Sequence, residues 1–273
     1  MKTLYFDCFS GISGDMTIGA LLDAGGDFSK LETELKKLHI EEEYELRVST
    51  VNKNGITATK FDCILTAENH HHHHEHEHTH DHEEHTHHHG HDGHHHEHGH
   101  HHQDHRSYKD IVDLISNSEL TEYVKDTSLR IFKKIGEAEG KIHGMPLADV
   151  HFHEVGAVDS IIDIVGAAIL LEQLGIEKVK SAPVPTGSGQ IHIDHGIYPI
   201  PAPATLEILK GVPLGKSDLK SELTTPTGAA FAAVIAEEFI AFPPMKVDFI
   251  GYGAGTKSFP KHPNVLRVVI GEE

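Results

Sequence analysis

Apolar residues recur at helical or strand spacing along most of the chain, and turn residues separate the runs. The pattern predicts helices over residues 14–24, 28–38, 108–115, 120–143, 155–174, 203–210 and 225–239. It predicts strands over residues 2–8, 44–51, 57–66, 178–182, 246–253 and 264–270, the last two as an antiparallel pair. Asn54-Gly55 joins two of these strands and is typical of a hairpin turn. Helices that alternate with short strands and a hairpin favour an α/β (α+β) fold with a mixed β-sheet flanked by helices.

Residues 70–105 break this pattern abruptly. Twenty-two of these thirty-six residues are histidine, eight are Asp or Glu, and none is aliphatic or aromatic. Such a segment cannot bury a core, so we expect it to be disordered. We therefore expect residues 1–69 and 106–273 to form one compact mixed α/β domain, with residues 70–105 as a His-rich insertion.

The tract from His70 to His105 has the composition of a metal-binding segment. At pH 7 most of its imidazoles are neutral and can donate to a metal, while its carboxylates raise the local cation concentration. We expect it to bind divalent metal ions such as Ni(II) loosely and at several places; an inert solvated linker is the alternative. Affinity alone favours copper over nickel and nickel over zinc, so the tract does not identify its own metal.

The most apolar predicted helix, over residues 155–174, carries two carboxylates. Apolar residues cover most of its surface, so we expect it to be buried. Asp159 and Asp163 lie one turn apart on the same side, and no Lys or Arg stands near them in the sequence. An unpaired carboxylate in an apolar interior is costly, so a metal ion, a distant Lys or Arg, or several N–H donors must reach them.

Imidazoles and a third carboxylate immediately precede this helix. His151 and His153 share one side of an extended segment, and Glu154 follows at the predicted helix start. Imidazole and carboxylate suit nickel, zinc, iron or manganese, so we interpret His151, His153, Glu154 and Asp163 as candidate metal ligands. A structural reading stays open, in which the helix dipole stabilises Glu154 and the other groups are satisfied within the core.

Two segments rich in Gly, Ser and Thr are candidates for phosphate binding. One is the predicted strand-to-helix turn at residues 9–15, and the other starts the predicted helix at residue 225, with Thr225 as N-cap and Pro226 in the first turn. Amides at a helix start, with neighbouring hydroxyls, can bind an anion. The candidate residues are Ser10, Gly11, Ser13, Gly14, Thr225, Thr227 and Gly228. An ordinary turn and an ordinary capped helix are the alternatives.

Three further polar residues stand where ligands often bind. Asp7 ends the first predicted strand, and we include it among the candidate metal ligands. His192 and His195 lie in a loop-rich region, and Gly196 favours a turn that aims His195. A structural role stays open for both histidines.

Charge and cysteine content narrow the class of protein. The formal net charge is -19 with histidines neutral, which disfavours nucleic-acid binding because a duplex repels an acidic protein. There are two cysteines, and no stretch resembles a signal peptide or a long apolar span. We expect a cytoplasmic protein that binds neither nucleic acid nor membrane, and we expect a homo-oligomer.

Four blocks of this sequence, in order, resemble the LarC family of nickel-insertion proteins. They are FDCFSGISGDM at residues 6–16, HFHEVGAVDSIID at residues 151–163, His195-Gly196 with PIPAP at residues 199–203, and ELTTPTG at residues 222–228. The resemblance covers most of residues 1 to 270, and the internal His tract also fits it.

The resemblance implies insertion of Ni(II) into pyridinium-3,5-bisthiocarboxylic acid mononucleotide, in biosynthesis of the nickel-pincer cofactor of lactate racemase. The resemblance also implies that two Ni–S bonds and one Ni–C bond form and that CTP is consumed with Mg(II) or Mn(II). Family members usually continue into a further C-terminal domain, whereas the sequence given ends at Glu273, so we expect the CTP site outside this chain. We also expect a need for that domain as a separate or fused partner, and an indirect link to the lactate racemase apoprotein.

Forming a Ni–C bond requires a base that removes a ring proton while nickel keeps open coordination positions. Glu154, Asp159 and His195 are the candidates for this catalytic role. Two other functions stay open. One is a nickel storage protein or metallochaperone without insertion chemistry, and the other is a metal-dependent hydrolase, since a His-x-His with downstream acids also suits water activation.

Overall fold

The structure is a computed structural model that describes residues 1–66, 106–152, 158–193 and 196–273. Its helices are α1 (Gly14–Asp23), α2 (Phe28–Leu35), α3 (Tyr108–Ser116), α4 (Glu122–His143), α5 (Val158–Gln173), α6 (Pro203–Ile208) and α7 (Pro226–Ile235). Its longer strands are β1 (Lys2–Asp7), β2 (Tyr44–Lys53), β3 (Ile56–Leu65), β4 (Lys178–Ser181), β6 (Gln190–Ile193), β7 (Gly196–Pro199), β10 (Lys246–Ala254) and β11 (Val265–Glu272). Three two-residue strands are β5 (Val184–Pro185), β8 (Leu214–Gly215) and β9 (Glu238–Phe239).

Among the described residues, strands from both ends of the chain meet in one mixed sheet. This seven-stranded sheet has the order β2-β3-β10-β11-β1-β4-β9. β1 pairs antiparallel with β11 and parallel with β4, while β10 and β11 form the predicted antiparallel pair. Strands β5 and β8, and strands β6 and β7, form two small separate sheets. The prediction of a mixed sheet flanked by helices is confirmed.

The β2–β3 hairpin follows from its turn residues. Asn54 and Gly55 have φ values of 51° and 89°, the left-handed conformation that a tight two-residue hairpin turn needs. The register then runs from Lys53 opposite Ile56 to Tyr44 opposite Leu65. This hairpin places Lys60 beside Asp15, and it places Cys63 near Asp163.

Helix α1 packs directly on β10 because glycines leave room for its backbone. A Cβ on Gly253 would lie 1.8 Å from the Met16 carbonyl oxygen, and one on Gly251 would lie 2.1 Å from the Ala20 carbonyl oxygen. Helix α5 packs on α1 from the other side, and α4 packs on α5. Most residues of α5 are buried, as its all-round apolar sequence predicts.

Two predicted boundaries need correction. The helix predicted to extend to Phe239 ends at Ile235, since Glu238 and Phe239 form β9 and pair in parallel with Lys180 and Ser181. A long-range strand contact therefore overrides local helical spacing. The described part of the helix predicted from residue 155 begins at Val158, and residues 153–157 lie outside the described ranges.

Within residues 1–66, 106–152, 158–193 and 196–273, no helix combines the length and apolarity that crossing a membrane requires.

The close packing of α1 on β10 predicts a large effect of Gly253→Ala. The added methyl would meet the Met16 carbonyl oxygen and force α1 away from the sheet, so we expect unfolding free energy to fall by about 3 kcal/mol or more. Gly175→Ala is the matched control, because Gly175 has open space around it and loses only roughly 1–2 kcal/mol from its left-handed backbone. Urea unfolding measures both; an equal loss in the two variants contradicts the packing argument.

Candidate functional site

The loop between β1 and α1 packs backbone against backbone on the segment before α7. Gly11 has φ +86°, and a Cβ there would lie 2.0 Å from the Leu223 carbonyl oxygen. A Cβ on Gly228 would lie 1.9 Å from the Ile12 carbonyl oxygen. Glycine is the residue that permits such contacts. The structure therefore brings together the two segments that the sequence selected for phosphate binding.

Hydrogen bonds complete this contact. The Thr225 amide donates to the Ile12 carbonyl oxygen over 3.2 Å. Thr225 Oγ1 accepts from the Gly228 amide over 3.2 Å, so the predicted N-cap is confirmed, with Pro226 in the first turn. The Thr227 side chain is mostly buried. Phosphate binding by these residues stays a prediction. At Gly11 and Gly228, the space that a side chain would take is occupied by the backbone of the facing segment.

The start of α1 is surrounded by acidic groups. The Asp163 carboxylate lies against Gly14, where an added Cβ would be 2.1 Å from Asp163 Oδ2. The hydroxyl of Ser13, the N-cap residue, donates to the Asp15 carboxylate. Carboxylates are favourable at a helix N-terminus. A phosphate at this position would meet like charge, and phosphate binding by Ser13 and Gly14 stays a prediction.

The two carboxylates of α5 lie in different environments. Asp159 is exposed, and its Oδ1 accepts a hydrogen bond from the Ser160 amide over 2.8 Å. Asp163, one turn later, is half-buried. The expectation of burial was wrong for Asp159, whose side chain is exposed although its neighbours Val158, Ser160 and Ile161 are buried.

Lys60 of β3 supplies a counter-charge that lies far from α5 in the sequence. Its ammonium lies 2.7 Å from Asp15 Oδ2 and 2.9 Å from Asp62 Oδ1. Burial lowers the pKa of Lys60, but the Asp15 and Asp62 carboxylates outweigh burial and raise that pKa above its ordinary value. Lys60 therefore remains positively charged.

The acidic cluster consists of Asp15, Asp62, Asp159 and Asp163. Burial first, and then the charges of Asp15 and Asp159, raise the pKa of Asp163 well above its usual range, while Lys60 opposes the shift. Burial and the charges of Asp163 and Asp159 also raise the pKa of the Cys63 thiol. A cation that entered the cluster would therefore favour ionisation of Asp163.

The predicted imidazole ligands do not join this cluster in the described residues. His151 is exposed, and its backbone bridges Ser107, while His192 is exposed on β6. Within the part of the chain that the structure describes, no three His, Cys, Asp or Glu side chains converge as a metal site. The remaining candidates lie outside the described residues: His153, Glu154, His195 and the tract His70 to His105.

Asp7 is already paired with a cation. It ends β1, and Arg267 on the neighbouring strand β11 donates from Nε to Asp7 Oδ2 over 2.8 Å. A metal at Asp7 would have to compete with this charge-assisted hydrogen bond. The role of Asp7 as a metal ligand stays a prediction.

A small cavity of about 180 Å³ opens between three segments. They are the loop between β1 and α1, which we call the N-terminal loop, the segment before α7, and the loop between β10 and β11. Asp15 and Glu222 line it together with Lys257. Burial raises the pKa of Glu222, and the charge of Lys257 opposes the shift. Glu222 begins the block at residues 222–228, but the sequence does not select it as a site residue. Its burial depends on the fold and cannot be seen in the sequence.

Comparisons with known proteins agree with one another. The family described as nickel insertion protein matches residues 4–273. A pyridinium-3,5-bisthiocarboxylic acid mononucleotide nickel insertion protein of Geobacillus kaustophilus is 52% identical over 276 residues, which cover 100% of this chain and 60% of the relative. Proteins of the same name from Staphylococcus epidermidis and Clostridium kluyveri are both 46% identical, over 98% and 100% of this chain and 59% and 63% of the relatives.

The chain therefore spans about three fifths of the length of these curated relatives. No solved structure was found to match it.

The environment of Glu222 predicts a pH-dependent stability. A raised folded-state pKa means that the native state binds more protons than the unfolded state above about pH 4.3, the ordinary pKa of Glu. The contribution of this group to stability is full below that pH and is lost as pH rises through the folded-state pKa. Glu222→Gln removes the titration, so its unfolding free energy relative to wild type should rise with pH.

Urea unfolding at pH values below and above about 4.3 measures the difference in unfolding free energy between Glu222→Gln and wild type. Glu119→Gln, an exposed position, is the control and should keep the wild-type pH dependence. A Glu222→Gln profile parallel to wild type at every pH would show that burial does not perturb Glu222.

Proposed function

Because the chain belongs to the nickel insertion protein family, we propose that it takes part in inserting Ni(II) into pyridinium-3,5-bisthiocarboxylic acid mononucleotide. The observation that carries this proposal is the likeness from residue 4 to residue 273 to proteins named for that insertion. The acidic cluster supports it, since it offers negative charge without a complete set of metal ligands.

Insertion makes two demands on a protein. Nickel must be held by a few labile ligands, because a saturated site would trap it and block the incoming sulfur and carbon donors. A base must also accept the proton that leaves the ring carbon as the Ni–C bond forms. A partly exposed group of carboxylates meets the first demand better than a closed site of imidazoles or thiolates.

Within the acidic cluster, the two α5 carboxylates would have different tasks. Asp159 is exposed and can meet a hydrated cation, while Asp163 lies deeper against Gly14. In the free protein the raised pKa of Asp163 favours its protonated form, and an arriving divalent ion would displace the proton. Lys60 limits the net negative charge and so favours release of the metal over permanent binding.

The other candidate ligands extend this proposal. We propose that His151, His153, Glu154 and Asp163 share in holding the nickel ion, with Asp7 as an additional ligand. We propose that one of Glu154, Asp159 and His195 accepts the ring proton. His153 and Glu154 lie within five residues of Val158, where the described part of α5 begins, so they are close to its carboxylates along the chain. The tract from His70 to His105 would supply nickel to this site.

The use of CTP involves residues other than the acidic cluster in this proposal. Among the described residues no three potential ligands converge as they would for the Mg(II) or Mn(II) of a CTP site. We propose that CTP acts through the additional length found in the relatives, present as a separate or fused C-terminal partner. The product would serve lactate racemase, and the reaction would take place in the cytoplasm, consistent with two free cysteines.

Substitution of Asp163 tests the role of the acidic cluster. We expect Asp163→Asn to lower nickel insertion at least about tenfold, because an amide is a weaker nickel ligand than a carboxylate. The assay supplies the partner domain, CTP, Ni(II) and the thiolated nucleotide, and mass spectrometry quantifies the nickel-bound product. Asp126→Asn on the exposed face of α4 is the control and should keep wild-type activity. Full activity of Asp163→Asn, with unchanged unfolding free energy, would remove Asp163 from the site.

A histidine-to-serine variant of residues 70–105 tests the tract as the nickel collector. It keeps the length and the carboxylates, and we expect it to lose most of the weakly bound nickel per chain while retaining insertion at saturating Ni(II). Equilibrium dialysis with metal analysis gives the stoichiometry. An unchanged nickel count would contradict the collector role.

The same His tract favours a second candidate function, nickel storage without insertion chemistry. The insertion assay separates the two functions, because a storage protein forms no nickel-bound nucleotide even with the partner domain present.

A further inference from the structure

A second and larger cavity, of about 610 Å³, lies at the far end of the N-terminal loop from the acidic cluster. It is lined by Phe9 of that loop, by residues 216–219 and by residues 259–262. We call it the aromatic cavity. Its volume is in the range of sites that bind small organic molecules.

Three ring side chains form one part of this cavity. The Phe9 and His262 ring centroids are 5.8 Å apart, and the Phe259 and His262 centroids are 6.2 Å apart. Phe9 is 37% exposed although it is a large apolar residue. Aromatic surface that stays open inside a cavity is suited to a planar ring, and a cationic ring gains further attraction from a phenyl face.

The rings are held in place by the fold. The Ser10 side chain is fully buried, and its Oγ lies 2.9 Å from His262 Nε2, a hydrogen-bond distance. The backbones of Phe259 and His262 pair across a tight turn. The cavity is therefore preorganised, which lowers the entropy cost of binding a ligand.

Charge adds a second type of contact. Lys216 and Lys261 line the cavity and are exposed, and the acidic residue Asp218 lines it as well. Two lysines against one aspartate make this a locally basic site on a chain with a formal net charge of -19. Such a site attracts phosphate or carboxylate groups.

The aromatic cavity and the small cavity lie between the same three segments. The N-terminal loop contributes Phe9 to the former and Ser13 and Asp15 to the latter. The chain leading to α7 and the loop between β10 and β11 also line both. The two cavities therefore border the same loop, and Asp15 of that loop belongs to the acidic cluster.

We propose that the aromatic cavity binds the pyridinium mononucleotide substrate, with its ring against Phe9 and Phe259 and its anionic groups paired with Lys216 and Lys261. This inference rests on the proposed function for the choice of ligand, and it assigns a place where that ligand sits.

Calorimetric titration of the 273-residue chain with nicotinic acid mononucleotide tests the assignment. This probe carries a pyridinium ring, a carboxylate and a phosphate, and a chelator keeps metal off the His tract. We expect saturable binding, weakened at least about tenfold by Phe9→Leu and by Lys261→Gln. Ribose 5-phosphate, which lacks the ring, should bind more weakly and respond to Lys261→Gln but not to Phe9→Leu.

Matched controls come from exposed residues outside the cavity. Phe249→Leu and Lys220→Gln should leave probe affinity unchanged. Absence of saturable binding to the wild type, or wild-type affinity in Phe9→Leu and Lys261→Gln, would overturn the assignment. Circular dichroism of each variant excludes misfolding as the cause of any loss.

Failure of the cavity assignment can be distinguished from failure of the proposed nickel-insertion function. If the cavity variants bind the probe normally while Asp163→Asn abolishes insertion, the cavity assignment fails and the proposed function stands. If the probe binds as expected but no nickel-bound product forms with the partner domain, the proposed function fails and the cavity remains a mononucleotide site.

Discussion

The structure of the site depends on one close contact, between the N-terminal loop and the segment that starts α7. At Gly11 and at Gly228 the two backbones approach so closely that a methyl group would overlap a carbonyl oxygen. The Thr225 amide donates across the contact to Ile12. This contact fixes the loop from Phe9 to Asp15, and the aromatic cavity, the small cavity and the acidic cluster all border that loop.

The acidic cluster shows how charge is balanced at the end of this loop. Lys60 neutralises part of the cluster through Asp15 and Asp62, and Asp163 is left with a strongly raised pKa. A half-buried carboxyl group in such a state is unfavourable for folding, and perturbed groups of this kind concentrate at functional sites. In the proposed function the metal must arrive and leave, and a fully coordinated site would not release it.

The two ends of the N-terminal loop have different roles in the proposed reaction. Rings and lysines at the Phe9 end would hold an aromatic anion, and carboxylates at the Asp15 end would hold the metal that reacts with it. Glu222 and Lys257 line the small cavity together with Asp15, and they contribute one group of each charge. The His tract would raise the supply of nickel without taking part in the geometry of the reaction.

Local sequence was sufficient for most elements of this fold. The Asn54-Gly55 turn determined the β2–β3 hairpin, Thr225 determined the start of α7, and the apolar surface of α5 determined its burial. The family-like blocks also selected the N-terminal loop and the α7 start, which do contact each other. These features depend on backbone preference and on periodicity, and both can be seen within a short stretch of chain.

Tertiary structure alone decided the rest, because each remaining feature joins residues far apart in the sequence. Residues 238–239 became a strand, against their local helical spacing, since Lys180 and Ser181 offered backbone partners. Lys60 became the counter-charge of Asp15, and Asp159 became exposed although its helix is apolar. His262 met Phe9 and Ser10 only because β11 returns beside β1. Pairing, burial and charge proximity of this kind are properties of the folded chain, and no local pattern encodes them.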